Sequence, residues 1–207
     1  MYELHFAPTP NGHKARVMIE ELGLPYELKK VDIGPQASQQ LSPEYRKVSP
    51  SRRIPALVDT EGPGGNPVTL IESHVIMTYL AGKTKSPLYP TDPATRLLVD
   101  QWALHGQATF GPTLANLTLF EARFPEDVPS AKKHFGNLGR RVFETIDLHL
   151  AGKEYFVGDY SIADIAHLTW VNRYPQAKID ITQYPNVKRW WDKVSARPAV
   201  QRGLKSD

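Results

Sequence analysis

The chain has 207 residues, of which 41% are hydrophobic and 23% are charged, as in a soluble globular protein of one or two domains. The formal net charge is +3, but basic and acidic residues alternate along the chain and no run of five or six like charges occurs, so nucleic acid is not an expected partner. The absence of cysteine excludes disulfides, thiolate metal sites and an enzyme-borne thiol.

The N-terminal sequence MYELHFAPTP lacks the basic region and long apolar run of a signal peptide. No stretch approaches the roughly 18 apolar residues of a transmembrane helix, so we expect a cytoplasmic protein without a membrane partner. The 7 histidines follow no metal-ligand spacing, and we expect no metal.

The first part of the chain alternates strand and helix patterns. Strands are predicted at 3–6 and 26–31, with a helix between them at about 12–23 that Gly23 closes. The apolar residues of this helix recur at three- and four-residue steps, at Ala15, Met18, Ile19 and Leu22.

A turn of helix at 43–46, strands at 56–58 and 68–71, and a helix from 73 to about 82 are predicted next. The inward residues of this last helix are predicted to be Val75, Ile76, Tyr79 and Leu80. The order β-α-β-(α)-β-β-α predicts an α/β thioredoxin-like N-terminal domain over residues 1–84.

Residues 85–91 (KSPLYPT) have the composition of a linker. Strand signals are absent beyond about residue 93. Helical stretches are predicted near 93–122, 129–151, 161–174 and 184–197. We therefore expect an all-α C-terminal domain over residues 92–207.

The segment FAPTPNGHKARV is a strand-to-helix elbow without a nucleophile. A helix N-terminus favours an anion, and Thr9 and Asn11 add a hydroxyl and an amide donor there. These groups suit a thiolate, which only a ligand could bring to a chain without cysteine. The alternative is that Asn11 and Gly12 merely form a turn and cap the helix.

Two further segments carry groups for a peptide ligand. In RRIP, a cis bond before Pro55 would leave the backbone of Ile54 free to pair with an extended peptide, although an ordinary trans bond is the alternative. In IESH, Ser73 at a helix start suits a carboxylate and Glu72 suits an ammonium group, although simple capping is the alternative. Together with the elbow, these features match the thiol, backbone and amino-acid end of glutathione.

Several motifs resemble those of cytosolic glutathione transferases, in the family's order and over residues 2–203. They are SPSRRIPALVD, LIESHVIMTYLA, YFVGDYSIADIA and YPNVKRWWDKVSARPAV. FAPTPNGHKA with VDIG resembles the nu class, the bacterial glutathione-dependent disulfide-bond oxidoreductases, and is similar to the glutathione-transferase-like domain of the fungal prion-forming nitrogen regulator.

The resemblance implies a glutathione transferase fold, a homodimer and a set of glutathione-binding positions. Thr9 and Asn11 would lie at the thiol as catalytic residues. The remaining contacts implied are Gln40 at the glycyl end, Arg53, Ile54 and cis Pro55 at the cysteinyl part, Glu72 and Ser73 at the γ-glutamyl end, and Lys133 or His134 across the dimer.

The helical half offers a candidate wall for an acceptor pocket, formed by Trp102, Phe110, Leu114 and Leu117, with core packing as the alternative for each. In SIADIA, Ser161 and Asp164 have the spacing of a capping pair, which we interpret as a folding determinant rather than a catalytic pair.

The implied activity is use of the glutathione thiol to reduce disulfides or organic hydroperoxides, with glutathione as co-substrate and a small hydrophobic, disulfide or peroxide acceptor. One alternative is conjugation of glutathione to electrophilic carbon, the usual glutathione transferase reaction. Another is a non-catalytic ligand-binding or regulatory protein. A translation-factor domain is disfavoured because no extension follows Asp207.

Overall fold

The computed structural model describes residues 1–206, so Asp207, the last residue of the predicted helical domain, lies outside the described residues. The chain forms two compact units. Unit 1 comprises residues 1–86 together with the segment that starts at Pro198, and unit 2 comprises residues 87–197. Among the described helices, none is long and apolar enough to cross a membrane.

Unit 1 contains a four-stranded mixed sheet with the strand order β2-β1-β3-β4. Strand β1 is parallel to β2 and antiparallel to β3, and β3 is antiparallel to β4. The elements are β1 (Tyr2–Phe6), α1 (Pro10–Glu21), β2 (Tyr26–Lys30), α2 (Pro43–Val48), β3 (Ala56–Asp59), β4 (Val68–Ile71) and α3 (Ser73–Thr84). This arrangement confirms the thioredoxin-like sheet that the element order predicted.

The inward face of α3 differs from the predicted one. Val75 is 44% exposed, whereas Met77 and Ala81 are buried with Ile76 and Leu80. The predicted face was therefore placed one position too far towards the N-terminus. In α1, Leu22 is only half-buried, because the helix ends at Glu21 and Leu22 is already its C-terminal cap.

The C-terminal segment packs with unit 1 rather than with the helical unit, unlike the predicted domain over 92–207. Its short helix α9 (Pro198–Gly203), which the sequence pattern did not predict, lies against α1. A Cβ added at Gly203 would lie 2.6 Å from the Cα of Val17, so only glycine allows this approach. The guanidinium of Arg16 also donates to the backbone carbonyl of Lys205 at 2.6 Å.

Unit 2 is helical, and apart from an isolated bridge between Val157 and Asp159 its described residues form no strand. The helices are α4 (Pro93–Leu104), α5 (Gly111–Ala122), α6 (Pro129–His149), α7 (Ile162–Val171) and α8 (Pro185–Ser195). A π-helical segment, His105–Phe110, joins α4 to α5 where Pro112 lacks the N–H that a regular helix would use.

Helix α7 begins with the predicted capping box. The hydroxyl of Ser161 accepts from the N–H of Ala163 at 3.3 Å, and Asp164 accepts from the N–H of Ser161 at 2.9 Å. Both side chains are buried, which confirms the structural interpretation of SIADIA.

Candidate glutathione site

Thr9 forms the N-terminal cap of α1, and its hydroxyl oxygen accepts a hydrogen bond from within the elbow. Its Oγ1 accepts from the N–H of Gly12 at 3.2 Å, and its own N–H donates to the carbonyl of Ala7 at 2.7 Å. Within residues 1–206 the hydroxyl hydrogen of Thr9 has no acceptor. The capping bond therefore leaves an O–H donor for a ligand.

The amide of Asn11 is arranged in the same way. Its Oδ1 accepts from Nζ of Lys14 at 3.1 Å, one turn further along α1. The NH₂ group makes no hydrogen bond with the described residues, and Asn11 is half-buried at the edge of a cavity. Thr9 and Asn11 thus use their acceptors inside the protein and keep their donors available, as a bound anion requires.

Gly12 lets α1 start directly against the end of β1. A Cβ at this position would lie 2.2 Å from the carbonyl oxygen of Ala7. We expect Gly12→Ala to lower the free energy of unfolding by about 3 kcal/mol, because the backbone of the elbow would have to shift. Urea unfolding of the variant measures this change.

Gly82→Ala is the matched control for that substitution. Gly82 also lies in a helix, but an added Cβ would meet no atom within 4 Å. Its replacement should leave stability unchanged or raise it by up to about 1 kcal/mol, because alanine favours helix. Equal effects at Gly12 and Gly82 would contradict the steric argument.

Six of the predicted site residues border one cavity of about 60 Å³ in unit 1. The lining residues are Asn11, Ser51, Arg53, Ile54, Pro55, Ile71, Glu72 and Ser73. The Ile54–Pro55 bond is cis, as the family resemblance implied. The backbone N–H and C=O of Ile54 make no hydrogen bond in the described part of the chain. They are therefore available to an extended peptide.

Two hydroxyl groups fix the loop before this cis bond by hydrogen bonds to its backbone. Ser49 and Tyr45 both donate to the carbonyl oxygen of Arg53, at 2.8 and 3.0 Å. Burial raises the pKa of Tyr45 to about 12, so this phenol remains a donor. The side chain of Arg53 is exposed, and its backbone is fixed beside the cavity.

Glu72 occupies an unusual backbone conformation at the start of α3, with φ 68° and ψ 114°. A residue other than glycine is rare there, and such conformations are concentrated at functional sites. Its side chain makes no capping bond and is exposed, while Ser73, the first residue of the helix, is buried. The carboxylate of Glu72 is therefore presented at the cavity rather than used in folding the helix.

The remaining candidates are not placed at this cavity. Gln40 is half-buried and does not line it; its Oε1 is buried and has no partner within residues 1–206. Thr9 also lies outside the lining but belongs to the same elbow as Asn11. Lys133 and His134 are exposed on α6 of unit 2.

The four acceptor-wall candidates separate into two groups. Phe110, Leu114 and Leu117 are at most 1% exposed, so they form the core of unit 2 and not an open wall. Burial among other helices is the reason that the core alternative holds for these three. Trp102 is half-buried, stacks on His149 with ring centres 3.7 Å apart, and lines a cavity of about 450 Å³.

Sequence reasoning missed Ser51, Ile71 and Lys14. Ser51 and Ile71 border predicted residues in SPSRRIP and LIES, and proximity to those motifs was the available signal. For Lys14 the signal was its spacing, since it falls three residues after Asn11 and four before the buried Met18. A lysine in register with an apolar helix face needs a partner.

The described residues contain no group of three or more histidine, cysteine, aspartate or glutamate side chains that could hold a metal ion. The site offers other groups instead. The elbow has two donors for an anion, the loop before Pro55 has a free peptide backbone, and the start of α3 has a carboxylate. This set is complementary to a peptide that carries a thiolate and an ammonium group.

Comparisons with known proteins agree with this chemistry. Residues 9–83 match the glutathione S-transferase N-terminal domain, and residues 112–198 match the glutathione S-transferase C-terminal domain. The chain is 37% identical over 206 residues to the disulfide-bond oxidoreductase YfcG of Escherichia coli, which covers 99% of this chain and 94% of that protein.

Two solved structures share the fold along nearly the whole chain. A glutathione transferase family member from Pseudomonas fluorescens, with two glutathione bound, has a TM-score of 0.92 and 35% identity, covering 100% of this chain and 93% of that one. A glutathione transferase from Pseudomonas putida, with one glutathione disulfide bound per subunit, has a TM-score of 0.91 and 36% identity, covering 99% and 90%. The chain belongs to the glutathione S-transferase family.

Proposed function

We propose that this protein binds glutathione, lowers the pKa of its thiol and uses the thiolate to reduce disulfides or organic hydroperoxides. The observation that carries the proposal is the first turn of α1, where Thr9 and Asn11 have their acceptors satisfied and their donors available. Glu72 would take the ammonium group of the ligand, Ser73 its α-carboxylate, and the backbone of Ile54 its cysteinyl part. Gln40 would contact the glycyl end.

The reaction needs no enzyme cysteine. The bound thiolate attacks one sulfur of the acceptor disulfide, a new S–S bond forms, and the other sulfur leaves as a thiolate that takes up a proton. A second glutathione attacks the mixed disulfide, so that two glutathione molecules become one glutathione disulfide and the acceptor gains two thiols. With a hydroperoxide, the thiolate attacks the O–O bond, an alcohol leaves, and the second glutathione converts the sulfenic acid to glutathione disulfide and water.

Disulfide reduction is favoured over conjugation by the relatives. YfcG is named a disulfide-bond oxidoreductase, and the Pseudomonas putida enzyme holds glutathione disulfide. A small-molecule assay separates the candidates: purified protein with glutathione is given 2-hydroxyethyl disulfide, cumene hydroperoxide or 1-chloro-2,4-dinitrobenzene. Turnover of the last alone would favour conjugation, and glutathione binding without any turnover would favour a regulatory protein.

We expect Asn11→Ala to lower kcat/KM for the disulfide by about 10- to 100-fold, because a charge-assisted hydrogen bond to the thiolate is lost. Asn66→Ala, in the exposed loop between β3 and β4, is the control and should leave the rate unchanged. A protein that shows no turnover and no glutathione binding by calorimetry would end the proposal. Unchanged turnover in Asn11→Ala would refute only the role of Asn11 as a donor to the thiolate.

We further propose a homodimer in which Lys133 or His134 reaches glutathione bound to the partner. Both side chains are exposed on α6, as such a role requires. Sedimentation velocity tests the dimer. If the dimer forms but neither Lys133→Ala nor His134→Ala weakens glutathione binding, the cross-subunit contact is wrong.

A further inference from the structure

Lys14 is the one lysine with a fully buried side chain within residues 1–206, and it lies beneath the elbow. We propose that Lys14 is a positioning residue, which fixes the Asn11 amide so that its NH₂ group faces the glutathione thiol. The inference rests on the proposed function, and it deepens that function by naming what orients the thiolate-binding donor.

The geometry determines which end of the amide faces the cavity. An amide side chain can present either an acceptor oxygen or a donor nitrogen, and only the nitrogen stabilises a thiolate. Nζ of Lys14 lies 3.1 Å from Oδ1 of Asn11 and is a donor there. Protonated Lys14 has only donors, so a flipped amide would bring two donors together; the ammonium form therefore selects the orientation with the oxygen inward and the NH₂ group outward.

The charges around Lys14 connect the two ends of the proposed ligand site. Burial lowers its pKa to about 7, and the carboxylate of Glu72 acts in the opposite direction. Lys14 therefore interacts with Asn11, at the thiol, through a hydrogen bond and with Glu72, at the amino end, through its charge. In either protonation state the amine can donate to Oδ1 of Asn11, and the ammonium form, which Glu72 favours, has no lone pair to accept from a flipped amide.

Packing alone gives no reason for a lysine at this position. The neighbours of Lys14 along α1, from Ala15 to Ile19, include Val17 and Met18, which are fully buried and apolar. A methionine has a similar length and flexibility and would not require a polar partner. The hydrogen bond to Asn11 gives the amine a polar role that a methionine could not perform.

The decisive measurement is the pKa of bound glutathione, followed through the ultraviolet absorbance of its thiolate. We expect Lys14→Met to raise this pKa by about one unit and to lower kcat/KM at neutral pH by about tenfold. Lys14→Gln, which keeps an N–H donor, should restore part of the effect. Lys30→Met, on the exposed end of β2, is the control and should change neither quantity.

A double-mutant cycle tests the route of the effect. If Lys14 acts through Asn11, adding Lys14→Met to Asn11→Ala changes the bound thiol pKa no further. Additive effects, or an unchanged thiol pKa in both Lys14 variants while Asn11→Ala raises it, would overturn the inference and leave the proposed function standing. If the wild-type protein does not lower the pKa of bound glutathione at all, it is the proposed function that fails.

Discussion

Replacing Asp164 by alanine is expected to lower the free energy of unfolding by about 5 kcal/mol, since four buried donors would lose their acceptor. Oδ1 accepts from Nε1 of Trp190 at 2.8 Å and from the N–H of Phe156 at 3.1 Å. Oδ2 accepts from the N–H of Ser161 at 2.9 Å and from its hydroxyl at 3.3 Å. Asp164 and Trp190 are fully buried, so no solvent is at hand to replace the carboxylate. Urea unfolding followed by tryptophan fluorescence measures the loss.

Asp92→Ala separates this effect from ordinary helix capping. Asp92 caps α4 at the surface, where it accepts from the N–H of Thr95 at 2.8 Å. Its loss should lower the free energy of unfolding by only about 1 kcal/mol. If Asp164→Ala and Asp92→Ala were equally destabilising, the buried network would contribute no more than a cap.

The effect of Asp164→Ala should also depend on pH. Burial raises the pKa of Asp164 to about 6, against the opposing hydrogen bonds from Trp190, Ser161 and Phe156. The folded protein then binds more protons than the unfolded chain between the ordinary aspartate pKa and about 6, so this contribution is present at low pH and lost as pH rises through about 6. The difference between wild type and variant should be about 2 kcal/mol larger near pH 4 than near pH 7.

The parts of the fold and site that the sequence predicted depend on short-range chemistry. The capping box of α7 and the donor pair at Thr9 and Asn11 each lie within four residues. The order of strands and helices followed from periodicity along each segment. Such features can be deduced without knowing what lies across the core.

The parts that were missed depend on contacts between distant segments. Helix α9 is only six residues long and owes its place to packing on α1, including the close approach of Gly203 to Val17. Phe110 was a candidate for a pocket wall because an aromatic side chain suits such a surface. The structure buries it completely, and only the packing of the surrounding helices reveals this. A sequence pattern indicates that a residue is apolar but not which surface covers it.

Lys14 combines both kinds of information. Its hydrogen bond to Asn11 is local, but its burial depends on the rest of unit 1, and the charge of Glu72 at the start of α3 raises its pKa. A charged group that the fold must desolvate destabilises the protein, and such conflicts with packing are expected at functional sites. The free energy of unfolding therefore measures, independently of catalysis, how much the burial of Lys14 destabilises the protein.

We expect Lys14→Met to raise the free energy of unfolding at neutral pH by up to about 5 kcal/mol, the equivalent of lowering a lysine pKa from 10.5 to about 7. The unfolded chain binds more protons than the folded protein between these two values. Wild-type stability should therefore rise with pH across this range, by about 2 kcal/mol between pH 7 and pH 9. Urea unfolding at several pH values measures this rise.

The informative quantity is the difference between wild type and Lys14→Met, because all other titrating groups are shared. This difference should shrink as pH rises and become small near pH 10.5, where the lysine is neutral in the folded protein and half neutral in the unfolded chain. A difference that stays constant with pH would mean that Lys14 is charged in the folded protein throughout and that Glu72 compensates its burial. A variant that is more stable yet slower in catalysis would show that the buried amine is kept for the chemistry of the elbow and not for the fold.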